Sequence, residues 1–231
     1  MVLMLFLMYP MLVKFCLSML KCPYVGDRRY LMMDLQEPCF TGRHLSYLFV
    51  LSLPQFLLVV VGLPLLGLYV IATASKEERL LEYDTHMRYG LLYLGYRPER
   101  AWWEMVVAVR KVAIVSIGTF GTSFGRVDIP AFLALFVVFL SIVCHLLGKP
   151  FDATGKAFEA KGKLLHYLEL LALSVAWITF WAGSMFYILV GDAFASTRIC
   201  ITVFMVVING AFLTVSGYEF VKELMVDMKF K

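Results

Sequence analysis

The chain has 231 residues, of which 61% are hydrophobic and 16% charged, with a mean hydropathy of +0.80. Soluble domains are roughly 45–50% apolar and about 25% charged, so this composition excludes a water-soluble globular fold, a disordered chain and a collagen-like fibre. A net charge of +4 leaves no electrostatic footprint for nucleic acid.

The first apolar run covers about residues 1–20, broken only by Pro10 and Lys14. It has neither a basic leading segment nor a small-residue cleavage site, which predicts a retained span rather than a removed signal peptide. The second run, about 44–74, is longer than a bilayer requires. At helical rise it reaches about 46 Å, against a hydrocarbon core of about 30 Å. Pro54 and Pro64 lie inside it; each removes a backbone donor and crowds the preceding turn, so a kink or tilt is expected.

Segment 75–100 is the longest polar stretch. Leu80, Leu81, Tyr83 and Met87 follow Lys76-Glu77-Glu78-Arg79 at helical spacing, and Leu91, Leu92, Leu94 and Tyr96 form a second apolar group. This pattern predicts an amphipathic helix at the membrane surface, turning at Pro98 into the next span. Tyr93, Tyr96, Trp102 and Trp103 fit an interfacial aromatic belt.

The third span runs over about 101–120 and ends at Gly121 and Gly125; the fourth, about 129–147, has Pro130 in its first turn. The fifth covers about 164–190 and the sixth about 197–219. Trp177 and Trp181 are expected to pack on a neighbouring helix or a cofactor, and Asn209 to donate a hydrogen bond between helices. No run alternates polar with apolar residues, which excludes a β-barrel. The expected fold is an all-α integral membrane protein: one polytopic domain over 1–231, built as a bundle of about six transmembrane helices with an interfacial amphipathic helix.

Basic residues orient the bundle. Lys76, Arg79, Arg88, Arg97 and Arg100 in 75–100, Lys149, Lys156, Lys161 and Lys163 in 148–163, and Lys222, Lys229 and Lys231 in the tail all fall on one side. The positive-inside rule places that side, with both termini, in the cytoplasm or its equivalent. Segment 21–43 opposes this with Lys21, Arg28, Arg29 and Arg43. The same segment holds Cys22 and Cys39. If its side is oxidising, a disulfide closing a loop of about 18 residues would contribute about 3 kcal/mol; two unrelated thiols are the equally weighted alternative. Cys16, Cys144 and Cys200 lie in spans, where cysteine is a small apolar filler. No CxxC or zinc-ligand spacing links the five, so neither a metal nor a redox dithiol is expected.

Charges inside the apolar runs need partners, because each costs about 2.5–3.5 kcal/mol at a helix centre. The third span carries Glu104, Arg110 and Lys111, the fourth ends on the same side with His145, and the fifth begins there with His166 and Glu169. Antiparallel packing therefore gathers Glu104, Arg110, Lys111, His145, His166 and Glu169 in one leaflet. Arg110 enters about 13 Å and Glu169 about 8–9 Å, a gap that a guanidinium side chain bridges. Two readings compete: an intramembrane site for an ion, a lipid headgroup or a coupling partner, and a structural Arg110–Glu169 pair with Lys111 snorkelling to the interface. The structural one is favoured. The histidines read as interfacial, with pigment ligation at His145 or His166 the minor alternative. No phosphate loop, nucleophile elbow or metalloprotease motif is present, so no enzyme and no cofactor is expected, and the expected partners are membrane lipids and other membrane protein subunits.

The stretch from Tyr89-Gly90-Leu91-Leu92-Tyr93 through Arg97-Pro98-Glu99-Arg100-Ala101-Trp102-Trp103-Glu104 to Val109-Arg110-Lys111 carries a resemblance. So do Gly148-Lys149-Pro150-Phe151, Leu168-Glu169-Leu170-Leu171-Ala172-Leu173 and Cys39-Phe40 to His44. Together they resemble the membrane regions of large multipass proteins of protists and algae, grouped with the TRP-like and polycystin-like channel superfamily. The resemblance implies a helical membrane module, often at the end of a larger ectodomain protein. A channel of that kind carries a pore helix and filter between its last two spans. Here 191–196 is too short for one, and Asp192 is its lone acid. Three functions stay open: a channel- or transport-type module without a complete pore, an accessory subunit of a larger respiratory or photosynthetic complex, and a lipid-modifying enzyme resting on the polar cluster alone.

Overall fold

The computed structural model describes residues 2–76, 89–93, 95–126, 128–151 and 156–229. Among them are six long helices: α1 (Val2–Ser18), α2 (Gly42–Lys76), α3 (Trp103–Phe120), α4 (Asp128–Gly148), α5 (Lys156–Ile188) and α6 (Ala195–Lys229). Four helical segments among the described residues, Gly42–Lys76, Asp128–Gly148, Gly162–Ile188 and Asp192–Lys222, are long and apolar enough to cross a membrane. The first helix is shorter, and α3 carries three charges. α5 and α6 both extend beyond their apolar runs, because a helix needs no apolar side chains to continue into water.

The expected bend in α2 takes the form of π-helical turns at Leu48–Ser52 and Leu57–Gly62, each ending two residues before a proline. A widened turn absorbs the missing donor and the bulk of the prolyl ring without ending the helix. Val60 O is the acceptor that a regular α-helix would pair with the N–H that Pro64 lacks, and the Tyr9 hydroxyl of α1 donates to it at 3.0 Å. Tyr9 thereby fixes α1 on α2, and Val13, Cys16, Leu17, Val60 and Ala108 close a core around it that includes α3.

Between α1 and α2 lies an antiparallel three-stranded sheet of β1 (Tyr24–Val25), β2 (Arg28–Leu31) and β3 (Asp34–Pro38), in the order β1-β2-β3. The all-α expectation misses it. The strands are two to five residues long and bury little beyond Leu31 and Glu37, so no apolar alternation announces them. Gly26, at φ +62°, supplies the left-handed position of the first turn. Cys22 and Cys39 are joined by a disulfide, with Cα atoms 6.2 Å apart, at the base of this sheet.

The proposed surface helix falls largely on 77–88, outside the described residues. Its described continuation forms two 3-10 turns, Gly90–Leu92 and Pro98–Arg100. Between these turns and the end of α4 the chain is clamped. Arg97 N–H donates to Pro150 O at 2.8 Å, Arg97 Nε to Phe151 O at 3.1 Å, and the Tyr96 and Phe151 rings stack at 5.2 Å. The aromatic-belt expectation is corrected here: Trp103 and Tyr93 are buried, Tyr96 is half-buried and Trp102 is exposed. Trp103 lies on Gly148, where a Cβ would overlap the indole ring. Trp181, expected to pack inward, faces outward.

Gly148→Ala is expected to destabilise the protein by about 1–3 kcal/mol, the usual cost of forcing volume into a packed site. Thermal unfolding in detergent should show the loss, and Trp103→Phe in the same chain should recover part of it.

Candidate functional site

The polar cluster is built on α3. Glu104 sits in its first turn, where the exposed backbone N–H groups favour a carboxylate. It is buried, and each oxygen meets a different neighbour. Oε2 accepts from the Tyr96 hydroxyl at 2.9 Å. Oε1 faces Lys111 Nζ at 3.7 Å, an ion pair beyond hydrogen-bond distance. Lys111 is almost two full turns further on, so both side chains share a face. Its ammonium also lies 3.8 Å from the centroid of the Phe6 ring, a cation–π contact that ties α3 to α1. Lys111 is thus held between a carboxylate and an aromatic face, in place of the snorkelling expected of it.

Arg110, one position round the helix, reaches α5. Its Nη2 lies 2.7 Å from Glu169 Oε1, with the two side chains 21% and 29% exposed. His145, at the end of α4, is 2% exposed rather than interfacial. The carbonyl of His166 lies 3.2 Å from its Nε2, and the two imidazoles stack at 4.5 Å. With Nε2 donating to that carbonyl, this nitrogen is not available to a pigment. The structure therefore brings Glu104 together with Lys111, Arg110 with Glu169, and His145 with His166.

By sequence position Tyr96 reads as interfacial, and nothing in its spacing signals the link to Glu104. Burial raises its pKa, and the adjacent Glu104 carboxylate raises it further. A phenol whose folded pKa is raised stabilises fully below the unfolded value of about 10, and that contribution is lost as pH climbs towards the folded value. Below that limit Tyr96 stays a donor to Glu104.

Two cavities flank the charges. One, of about 140 Å³, is apolar and is lined by Phe6, Tyr9, Pro64, Gly67, Glu104 and Lys111. The other, of about 360 Å³, is lined by Arg110, Lys111, Glu169, Ala172 and Phe180 among others. On the far side of α5, Asn209 Nδ2 donates to Thr179 Oγ1 at 3.0 Å and to Met205 O at 2.9 Å, giving α6 a polar tether. A last group lies outside the bundle: Cys22, Cys39 and His44 meet at the base of the sheet. A cysteine and a histidine five apart, with a second cysteine 17 residues upstream, match no familiar spacing, and only the sheet brings them together.

No family model matches the chain, and no solved structure matches it. Among curated proteins it is similar to Cysteine repeat modular protein A of Toxoplasma gondii, 24% identical over 227 residues. That similarity covers 92% of this chain and 7% of the Toxoplasma protein.

Removing one member of the Arg110–Glu169 pair strands the other charge. Glu169→Gln is expected to cost about 3–5 kcal/mol and to lower the amount of folded protein recovered from membranes. Arg110→Met combined with Glu169→Leu should be recovered better than either single change, as fluorescence-detected size exclusion would measure.

Proposed function

We propose that the chain is a non-enzymatic, six-span membrane module of the TRP-like type, without a complete pore of its own, serving as the membrane-embedded part of a larger assembly. The observation that carries this reading is its outward apolar surface. Phe136, Leu147, Val206, Leu213 and Phe220 are between 63% and 79% exposed, a surface that only lipid or another membrane protein covers at acceptable cost. α1 and α3 complete the six. One face of α1 packs into the core through Tyr9, Val13, Cys16 and Leu17, and the charges of α3 are paired, which suits a span that could not otherwise be accommodated.

The polar cluster supports a structural role. Its carboxylates are engaged by Arg110, Lys111 and Tyr96, which leaves no acid–base pair aimed at a substrate. The α5–α6 connection holds a single 3-10 turn, Asp192–Phe194, with no room for a pore helix. The spacing of basic segments puts both termini on the cytoplasmic side. The small share of the Toxoplasma protein that this chain covers agrees with a module within something larger. A second reading, an accessory subunit of a membrane complex, is favoured by α6: within its most apolar stretch, 0% of residues are buried, so one whole flank is open to a lateral partner.

Single cysteines at Thr122 and Lys156, in a chain whose free cysteines are replaced by alanine, are expected to label from opposite faces of the membrane. Labelling from one face would overturn the topology. Reconstituted alone in planar bilayers, the chain should give no conductance above protein-free membranes. Ion-selective unitary currents that vanish with Arg110→Met would instead make it a channel in its own right.

A further inference from the structure

The base of the sheet holds chemistry that the membrane module does not use. Cys22 precedes β1, Cys39 follows β3, and His44 lies in the first turn of α2. Both sulfurs and one His44 ring nitrogen lie within 4.8 Å of one another. His44 is 2% exposed. Its Nδ1 accepts from the Phe40 N–H at 3.1 Å, which puts the imidazole proton on Nε2, and among the described residues Nε2 has no hydrogen-bond partner. A buried donor left unmatched is costly, and nothing in the sheet repays it.

We propose that, once the Cys22–Cys39 disulfide is reduced, Cys22 Sγ, Cys39 Sγ and His44 form a three-ligand Zn²⁺ site, with a water in the fourth position. Reduction by a dithiol gives each sulfur one electron and one proton while the dithiol closes to its own disulfide. Zn²⁺ then displaces the two thiol protons to solvent, forms two Zn–S bonds and one Zn–N bond, and leaves a group with no net charge. Tetrahedral geometry with Zn–S near 2.3 Å and Zn–N near 2.0–2.1 Å sets ligand atoms about 3.5–3.8 Å apart. The sulfurs must therefore part, and the imidazole must come closer by about 1 Å.

The frame persists without the covalent bond. Tyr30 N–H donates to Pro23 O at 3.1 Å, Met32 N–H to Lys21 O at 2.9 Å and Cys39 N–H to Arg29 O at 2.9 Å, so the ligands stay in reach of each other. Both cysteines are partly exposed, which admits the reductant. Whichever ring nitrogen binds the metal, the neutral imidazole carries its proton on the other. The Phe40 N–H bond to Nδ1 is therefore given up on loading, a cost that the Zn–N bond must outweigh.

The test uses the full chain in detergent with Cys16, Cys144 and Cys200 replaced by alanine, reduced with a dithiol that is then removed without air. Co²⁺ titration followed by absorbance, with Zn²⁺ as competitor, reads the site. The reduced protein is expected to bind one equivalent of Co²⁺, with the intense visible bands of a tetrahedral site and sulfur-to-cobalt charge transfer, and to release it to Zn²⁺. The oxidised protein, identical in sequence, should bind none. His44→Ala should weaken binding by about tenfold or more, and Cys39→Ser should abolish it. No tetrahedral spectrum in the reduced protein, equal uptake in the oxidised one, or unchanged affinity in His44→Ala would each overturn the proposal. If Cys39→Ser fails to fold, the oxidised protein remains the ligand-blocked control.

Discussion

A guanidinium and a carboxylate carried into an apolar bundle on different helices are each tolerated only where the other is. Arg110 and Glu169 meet at 2.7 Å, and this contact fixes the rotation of α3 against α5. Once that rotation is set, Lys111 turns towards α1, where the Phe6 ring receives it beside Glu104 of its own helix, and Trp103 turns towards the end of α4, where Gly148 leaves space for it. Three helices are thereby positioned by the side chains of a fourth. Each of these contacts is poor in isolation and acceptable in company, because charges and polar groups withdrawn from water need every available partner.

The same accounting governs the backbone. Pro64 deprives Val60 of its helical donor, α2 widens into a π turn, and the Tyr9 hydroxyl makes good the difference. Serine and threonine hydroxyls within the helices follow suit by donating to the carbonyl four residues back, as Ser116, Thr119, Ser141, Ser174 and Thr179 do. In a medium without water, such internal donation is the route left to a hydroxyl. Asn209 is the exception that reaches outward, and it uses its second donor to bind α6 to α5.

Hydropathy made the helices legible, since runs of apolar residues longer than about 18 have few alternatives, and the boundaries of α2 and α4 lie within two residues of those runs. Depth arithmetic also pointed from Arg110 to Glu169, because both positions follow from helical rise and chain direction. What escaped was whatever depends on non-local packing or on short irregular segments. The sheet has too few residues per strand to carry a periodic signal. Trp103 and Tyr93 look interfacial by position, yet the Tyr96–Phe151 clamp draws them inside. His44 gives no hint in sequence of its two cysteine neighbours, since their proximity is made by a chain reversal with no motif of its own.

A six-span bundle requires α3 to cross the membrane despite its three charges. Val109, adjacent to Arg110, is 68% exposed on the outer face of that helix. A nitroxide at Val109→Cys, in a cysteine-free background apart from Cys22 and Cys39, reports its surroundings in a reconstituted bilayer by electron paramagnetic resonance. High collision with oxygen and low collision with a water-soluble nickel chelate would place it in lipid, as the account predicts. The reverse pattern would put α3 in water and contradict it.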